Sequence, residues 1–508
     1  VILLVALSGI IVGFGQPAWA PWLAPVSAVC GYALFWRAAC KIQSGKRRFL
    51  LSTGWFFLVQ LIQLSWMTSI EFQGTYILLV YALISIGLGL QFGVLSHVID
   101  KIPFVASASI WALMECARLY FFCGFSFNPA GLALTAIPLS LPAVSIFGIF
   151  GLSFWVILTN LAVWKRRWKP AMVLALSPYL FGGALTWVYQ PKIEKSPTLS
   201  VALVQTALLP SQKMYFPERA QDFISPYEQW ERISKLLSKV DCPLDLVVLP
   251  EAAIPYTNET PLYSKERVAR ILQTAFQNYE PEGTDRMVSN PYWIHALSKI
   301  LGADVIVGLD GAAGDVHYSS AFFASKGKID RYDKQILLPL AEYLPFESLI
   351  QLTKKYGVSQ FFAHGQGSKL FQSKVPISTS ICYEETFGRI MRQGKKEGAA
   401  LFVNVTNDNW YPHSRLPKQH FDLGKAQAVA NGLPLVRACN AGVTAVVDSL
   451  GNEIASLNEW NKAGVLVAKV PIYSIWTLYS FWGDLGIIML SMFFLTITLV
   501  INRKSYLF

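Results

Sequence analysis

The chain has 508 residues, 53% of them hydrophobic and 15% charged, with seven cysteines and a net charge of +11. A soluble globular protein carries roughly a quarter charged residues, and so apolar a chain excludes disorder, collagen-like repeats and small disulfide scaffolds. The basic excess is clustered beside apolar runs, at Lys46-Arg47-Arg48 and Lys165-Arg166-Arg167. That pattern belongs to membrane topology and not to a nucleic-acid surface.

Seven apolar stretches come first, at about 1–14, 17–36, 49–69, 75–98, 102–122, 141–164 and 170–189, and an eighth runs from about 482 to 501. Each is near the ~20 residues that cross a bilayer core. Basic clusters at 37–48, 165–169 and Arg503-Lys504 follow the second, sixth and eighth. With eight spans all three share one face, which the positive-inside rule makes cytoplasmic. Both termini are then cytoplasmic, and the segment between spans seven and eight lies on the opposite side. Ala18-Trp19-Ala20 has the small-residue spacing of a signal-peptidase site, but no basic stretch precedes it in this sequence, and retention is expected. Cleavage there would leave the orientation unchanged.

Within the fifth stretch, Glu115 and Arg118 are three apart and share a helical face. They are open to two readings, an intramembrane functional pair or an ion pair that locks helix packing. Of the cysteines, 30, 40, 116 and 123 lie in or beside apolar helices, where cysteine behaves as a small hydrophobe. Cys242, Cys382 and Cys439 remain, an odd number without Cys-x-x-Cys spacing. No metal site is expected, and at least one thiol stays free.

The segment of about 192–476 has ordinary soluble composition. Runs at 199–205, 245–250, 304–309, 375–382, 400–406, 435–439, 443–448 and 464–470 read as buried strands. Helices are expected at about 226–239, 262–278, 292–301 and 418–431, and 279–291 reads as a long surface insertion. The alternation argues a layered α/β domain.

Three strand ends carry polar residues that packing does not require. They are Pro250-Glu251-Ala252-Ala253-Ile254-Pro255, the run Lys334-Gln335-Ile336-Leu337-Leu338-Pro339 leading to Glu342-Tyr343, and Ile381-Cys382-Tyr383-Glu384-Glu385. Sites in open α/β folds gather at carboxyl ends of strands. A thiol titrates near ~8.5, and a neighbouring lysine favours its thiolate. Glu251 would take the thiol proton and return it to a leaving group. Lys334 and the Tyr383 N–H would bind the oxyanion of a tetrahedral intermediate. The product is a thioester, which splits one acyl transfer into two easier ones. Singly, a strand-end cysteine is more often an inert core residue, and a loop Glu or Lys a solvated charge. Three in such settings are harder to dismiss.

These stretches resemble, in order, the three signatures of the nitrilase, or carbon–nitrogen hydrolase, superfamily with its Glu–Lys–Cys triad. Val403-Asn404-Val405-Thr406-Asn407-Asp408-Asn409-Trp410-Tyr411, Gln419-His420-Phe421 and Pro434 through Ala445 are similar to one branch, the apolipoprotein N-acyltransferases. Phe14-Gly15-Gln16-Pro17, Glu115-Cys116-Ala117-Arg118 and Gly124-Phe125 resemble that family's membrane part, so the similarity covers essentially the whole chain. It implies a helical membrane bundle (1–189), a nitrilase-like α-β-β-α sandwich as catalytic domain (192–476), and a last span with a short tail (477–508). Departures are Pro339-Leu340-Ala341-Glu342 where Pro-Phe-Gly-Glu is usual, serine in Tyr318-Ser319-Ser320 where asparagine is common, and the long Glu251-to-Lys334 interval. They bear on the acyl pocket, not on the triad.

By that resemblance the enzyme moves an acyl chain from a phospholipid, typically phosphatidylethanolamine, to the α-amino group of the diacylglyceryl-cysteine of an apolipoprotein. Cys382 is then the nucleophile, Glu251 the base and acid, and Lys334 the oxyanion stabiliser. Glu342 orients Lys334, and Tyr383 and Glu384 support the Cys382 loop. No cofactor and no nucleic-acid partner are expected. Lifting a ~16-carbon chain out of the bilayer costs on the order of 12 kcal/mol, so the thiol should come to the membrane surface. Phe361, Phe362, Trp410 and Tyr411 are candidates for lipid contact or, equally, for domain packing. The resemblance also places the protein in a bacterial inner membrane with its catalytic domain periplasmic. Two rivals are a membrane-tethered amidase acting on a soluble amide, and a transporter or lipid-handling scaffold with a sensor domain.

Overall fold

The structure is a computed structural model whose described residues are 1–254, 260–277, 279–344 and 361–505. Pro255 and Pro345 of the signature stretches lie outside them. The chain forms two compact units, one of 1–192, 411–432 and 475–508, the other of 193–410 and 433–474.

The first unit is helical. Among the described residues, four helices are long and apolar enough to cross a membrane: Tyr76–Val98, Leu141–Trp164, Trp168–Glu194 and Asp484–Ile501. Of the other four expected stretches, three form shorter or interrupted helices and one a 19-residue helix that is less apolar. Ile2–Phe14 has 13 residues and Phe104–Ala117 has 14, about 21 Å for the latter against a ~30 Å core. The stretch 17–36 carries Pro17, Pro21 and Pro25 and turns before its helix begins at Ala24. The helix Gly45–Gln63 begins in the Lys46-Arg47-Arg48 cluster and buries Gln60 and Gln63. Arg48 is paired with Asp100 at 2.6 Å.

Glu115 and Arg118 form an ion pair at 2.9 Å. Glu115 is fully buried and also accepts from Trp111 Nε1 at 2.8 Å and the Ala130 N–H at 2.9 Å. Those bonds tie helix Phe104–Ala117 to the following loop, the packing role of the two expected. The helix Leu416–Asn431, which chain order alone put in the soluble segment, belongs to the first unit, and all its residues but Lys418 and Lys425 are buried. Its Gln419 Nε2 donates to Gln63 O at 2.7 Å, a carbonyl that the end of Gly45–Gln63 leaves unpaired.

The second unit is built on strands β1 (Thr198–Gln205), β2 (Leu246–Leu249), β3 (Tyr263–Ser264), β4 (Met287–Val288), β5 (Asp304–Ala313), β6 (Val316–Ser325) and β7 (Lys328–Asp333). These are followed by β8 (Leu370–Gln372), β9 (Pro376–Ile381), β10 (Leu401–Thr406), β11 (Leu435–Cys439), β12 (Ala445–Val447), β13 (Glu453–Ser456) and β14 (Gly464–Pro471). They make two mixed sheets, β14-β1-β2-β5-β6-β7 and β13-β12-β11-β10-β9-β8. β1, β2 and β5 run parallel, as do β9, β10 and β11.

Successive side chains point to opposite faces, and in β1, β2 and β5 both faces are buried. Val201, Leu203, Leu246, Val248 and Ile306 pack against Ile377, Leu401, Val403, Val405 and Val436 of the second sheet. Ala202, Val204, Val247, Leu249, Val305 and Val307 face the opposite way, onto Trp230, Ile233, Val268, Leu272, Trp293 and Leu297. Those residues lie on helices Pro226–Leu237, Lys265–Ala275 and Asn290–Leu301.

The eight expected strands and four expected helices are present. The hairpins β5-β6-β7 were not expected, because β6 is polar at its start; their turns are made at Gly314 and Gly327, both at positive φ. The expected insertion 279–291 is anchored at both ends, since Tyr279 is buried in the core and β4 pairs with β3.

Candidate active site

Glu251 follows β2, Lys334 follows β7 and Cys382 follows β9, so each sits just past a strand's carboxyl end. All three local turns bend through the left-handed region at a non-glycine residue: Ala252 (φ +43°), Leu340 (φ +67°) and Cys382 itself (φ +53°). Such residues cost about 1–3 kcal/mol each and persist only where the surroundings over-determine them.

Several contacts impose those turns. The Gly308 N–H donates to Pro250 O at 3.2 Å and its carbonyl accepts from the Ala253 N–H at 2.8 Å, pinning the Glu251 turn to β5. An added Cβ at Gly308 would lie 2.5 Å from Glu251 Cα. Glu384 is fully buried and accepts four bonds. Oε1 receives the N–H groups of Gln335 (2.6 Å) and Ile336 (3.1 Å), and Oε2 receives Tyr332 Oη (3.0 Å) and the Ile381 N–H (2.8 Å). One carboxylate thus staples the lysine loop to the cysteine turn. Glu342 Oε2 accepts from the Leu338 N–H at 2.8 Å, closing the same loop.

Lys334 is fully buried, and its Nζ donates to Glu251 Oε1 at 3.2 Å and Glu342 Oε1 at 2.6 Å. The Cys382 thiol is hydrogen-bonded to the Glu251 carboxylate. The three residues are therefore brought together, with Glu342 bracing the lysine. Tyr383 is buried and packs edge-on against Phe387 at 4.9 Å.

Burial pushes the Glu251 carboxyl up and Glu342 adds to this, against the pull of Lys334. Burial opposes the charge on Lys334, but Glu251 and Glu342 outweigh it and hold the ammonium well above the usual lysine range. For Cys382, burial and then Glu251 raise the thiol, and Lys334 only partly offsets them. Lys334 thus acts in the expected direction, favouring the thiolate, while burial and Glu251 act against it.

Sequence reasoning missed a second layer. Asn404 Nδ2 donates to Cys382 O at 3.1 Å and Ser380 Oγ at 3.0 Å. Glu385 accepts from Arg437 Nε at 2.7 Å, and Arg437 Nη2 reaches Asp408 Oδ2 at 3.1 Å, all three side chains buried. An arginine inside the apolar run of β11 was the available signal, because a buried charge demands partners. Lys213 is also buried, with Nζ donating to Glu251 O at 3.3 Å; nothing in its local sequence marked it. The expected lipid-contact residues are dispersed and half-buried. The Phe362 N–H donates to Glu342 O at 2.9 Å, and Tyr411 meets Trp66 edge-on at 4.8 Å in the first unit. The described residues hold no cluster of side chains suited to a metal ion.

Residues 200–476 match the carbon-nitrogen hydrolase family, and residues 8–162 match the apolipoprotein N-acyltransferase N-terminal domain. The apolipoprotein N-acyltransferase of Chlamydia pneumoniae is 34% identical over 522 residues, covering 96% of this chain and 94% of the relative. That of Chlamydia caviae is 30% identical over 520 residues, with the same coverage of 96% and 94%. A CN-hydrolase superfamily protein of known structure from Xanthomonas campestris is 18% identical, with a TM-score of 0.37 over 54% of this chain and 91% of its own.

Proposed function

The chain belongs to the apolipoprotein N-acyltransferase family, and on that premise we propose that it N-acylates lipoproteins in two steps through a thioester on Cys382. The acyl donor is a membrane phospholipid, phosphatidylethanolamine by family resemblance, and the acceptor is the α-amino group of a diacylglyceryl-cysteine. In the first step Glu251 takes the thiol proton as sulfur attacks the ester carbon, then gives it to the departing lysophospholipid oxygen. Lys334 and the Tyr383 N–H stabilise the oxyanion. In the second step the amine attacks the thioester, and Glu251 carries a proton from nitrogen to sulfur.

The observation that carries this reading is one carboxylate, Glu251, bonded both to the buried Lys334 ammonium and to the Cys382 thiol. A carboxylate beside the thiol puts a proton acceptor where the nucleophile is activated. Glu342 holds the lysine, and Glu384 holds the loop to the nucleophile. Trp410, Tyr411, Phe361 and Phe362, all half-buried, are assigned to lipid contact.

The chain is a membrane protein with several candidate membrane helices. We further assign eight spans, counting the shorter apolar helices, with catalytic domain 192–476 periplasmic and both termini cytoplasmic, on the strength of the three basic clusters. Incubating the full-length enzyme in membranes with acyl-labelled phosphatidylethanolamine tests the core of the reading. Label bound to Cys382, and released by a diacylglyceryl-cysteine peptide, supports it; unlabelled enzyme during turnover overturns it.

A further inference from the structure

An acceptor amine poses a proton problem that the triad alone does not solve. An α-amino group titrates at about 8, so at neutral pH it arrives mostly as an ammonium without a free lone pair. It must lose one proton before it attacks and a second after. Glu251 is committed to the second, which it passes to the sulfur as the carbon–sulfur bond breaks. Were it to take the first as well, it would be protonated when needed as a base. A second acceptor beside the thioester would let the abundant ammonium form be used directly.

β5 supplies one. Side chains two apart on a strand share a face, about 7 Å along. The missing side chain of Gly308 points at Glu251 Cα, so Asp310 stands on that face, one pleat on toward the carboxyl end. Its carboxyl interacts electrostatically with Glu251, Lys213 and Glu342. Among the described residues it makes no side-chain hydrogen bond or ion pair, and it keeps partial solvent contact. Lys213, the cation that acts on Asp310, donates from its Nζ to the Glu251 carbonyl instead. Of the charged groups that act on Asp310, Glu251 and Glu342 are negative and Lys213 is positive.

We propose that Asp310 receives the incoming α-ammonium of the acyl acceptor and takes its first proton, which directs the second half-reaction to aminolysis instead of hydrolysis. This rests on the thioester reading above. The ammonium and the Asp310 carboxylate give free amine and carboxylic acid, and the acid then releases its proton to solvent at the mouth. The amine nitrogen bonds the thioester carbon, the carbon–sulfur bond breaks, and the remaining proton passes through Glu251 to sulfur. Amide and thiol result, with one proton released. Burial, Glu251 and Glu342 hold the Asp310 carboxyl up at about 7, against the pull of Lys213. That suits a group that must both accept an ammonium proton and let it go.

The test separates the two half-reactions in the full-length enzyme with Asp310→Asn, which keeps size and shape. Thioester on Cys382 is formed from labelled phospholipid, then chased either with a diacylglyceryl-cysteine peptide or with hydroxylamine, a nucleophile uncharged at neutral pH. We expect thioester formation and hydroxylamine release within about twofold of wild type, and peptide transfer slowed on the order of 10²-fold. Undiminished peptide transfer, or equal slowing with both nucleophiles, overturns the role of Asp310. A wild-type enzyme that carries no label on Cys382 instead overturns the thioester reading, and this assignment falls with it.

Discussion

Gly308→Ala probes the site through a residue that touches no substrate. The added Cβ would lie 2.5 Å from Glu251 Cα, 2.7 Å from Pro250 O and 3.0 Å from Ala252 N, all main-chain atoms. Ordinary contact begins at 3.4 Å, so the Glu251 turn must withdraw by about 0.9 Å, because backbone cannot rotate away as a side chain can. The turn is already strained at Ala252 and bonded to Gly308 on both sides, which leaves translation of Glu251 as the main relief. A catalytic group misplaced by about 1 Å loses on the order of 10²-fold in rate, while overpacking one methyl costs about 1–3 kcal/mol of stability. The assay is single-turnover thioester formation from labelled phospholipid, beside thermal unfolding. Gly464→Ala is the control, since its Cβ would meet only Leu457 side-chain carbons at 3.8 Å or more, and it should react as wild type. A Gly308→Ala enzyme that forms thioester at the wild-type rate would refute the claim that close approach of β5 sets the position of Glu251.

Four further outcomes are expected. Cys382→Ser abolishes thioester labelling while Cys242→Ser, at an exposed thiol, retains it; labelling that survives in Cys382→Ser points to another nucleophile. Alkylation of Cys382 across pH moves to higher pH in Lys334→Met and to lower pH in Glu251→Gln, since the lysine lowers and the glutamate raises the thiol; coincident curves would deny both contacts. Lys334→Met also loses stability on the order of 3–5 kcal/mol, because Glu251 and Glu342 are left buried without their cation, as chemical denaturation would measure. Burial holds the Glu384 carboxyl up at about 7 from an ordinary 4.5. The folded state therefore keeps a proton that the unfolded chain releases between those values, and stability falls as pH rises through that window; Glu384→Gln should flatten this slope, and an unchanged slope would assign it elsewhere.

The fold was legible wherever hydrophobic periodicity speaks. The runs of β1, β2 and the first half of β5 are apolar on both faces, as strands buried between layers must be, while β9, β10 and β11 are apolar toward the facing sheet. β6 and β7 were not legible, because Val316-His317-Tyr318 and Lys328-Ile329-Asp330 are polar and owe their pairing to turns at Gly314 and Gly327. Apolar length alone does not register where prolines interrupt a run, as Pro17, Pro21 and Pro25 do before the helix that begins at Ala24.

Within the site, residue order is enough to tell that Glu251, Lys334 and Cys382 stand at strand ends and that Glu342 and Glu384 lie near them. How they act on one another follows from the fold. Lys334 meets Glu251 across 83 positions and Glu384 meets Gln335 across 49. Sequence order carries no distance at such separations. The protonation state of Cys382 was likewise out of reach, since it depends on burial and on Glu251 as much as on Lys334. Charge type can be read from the chain one residue at a time; the field each charge feels is a sum over neighbours that only folding assembles.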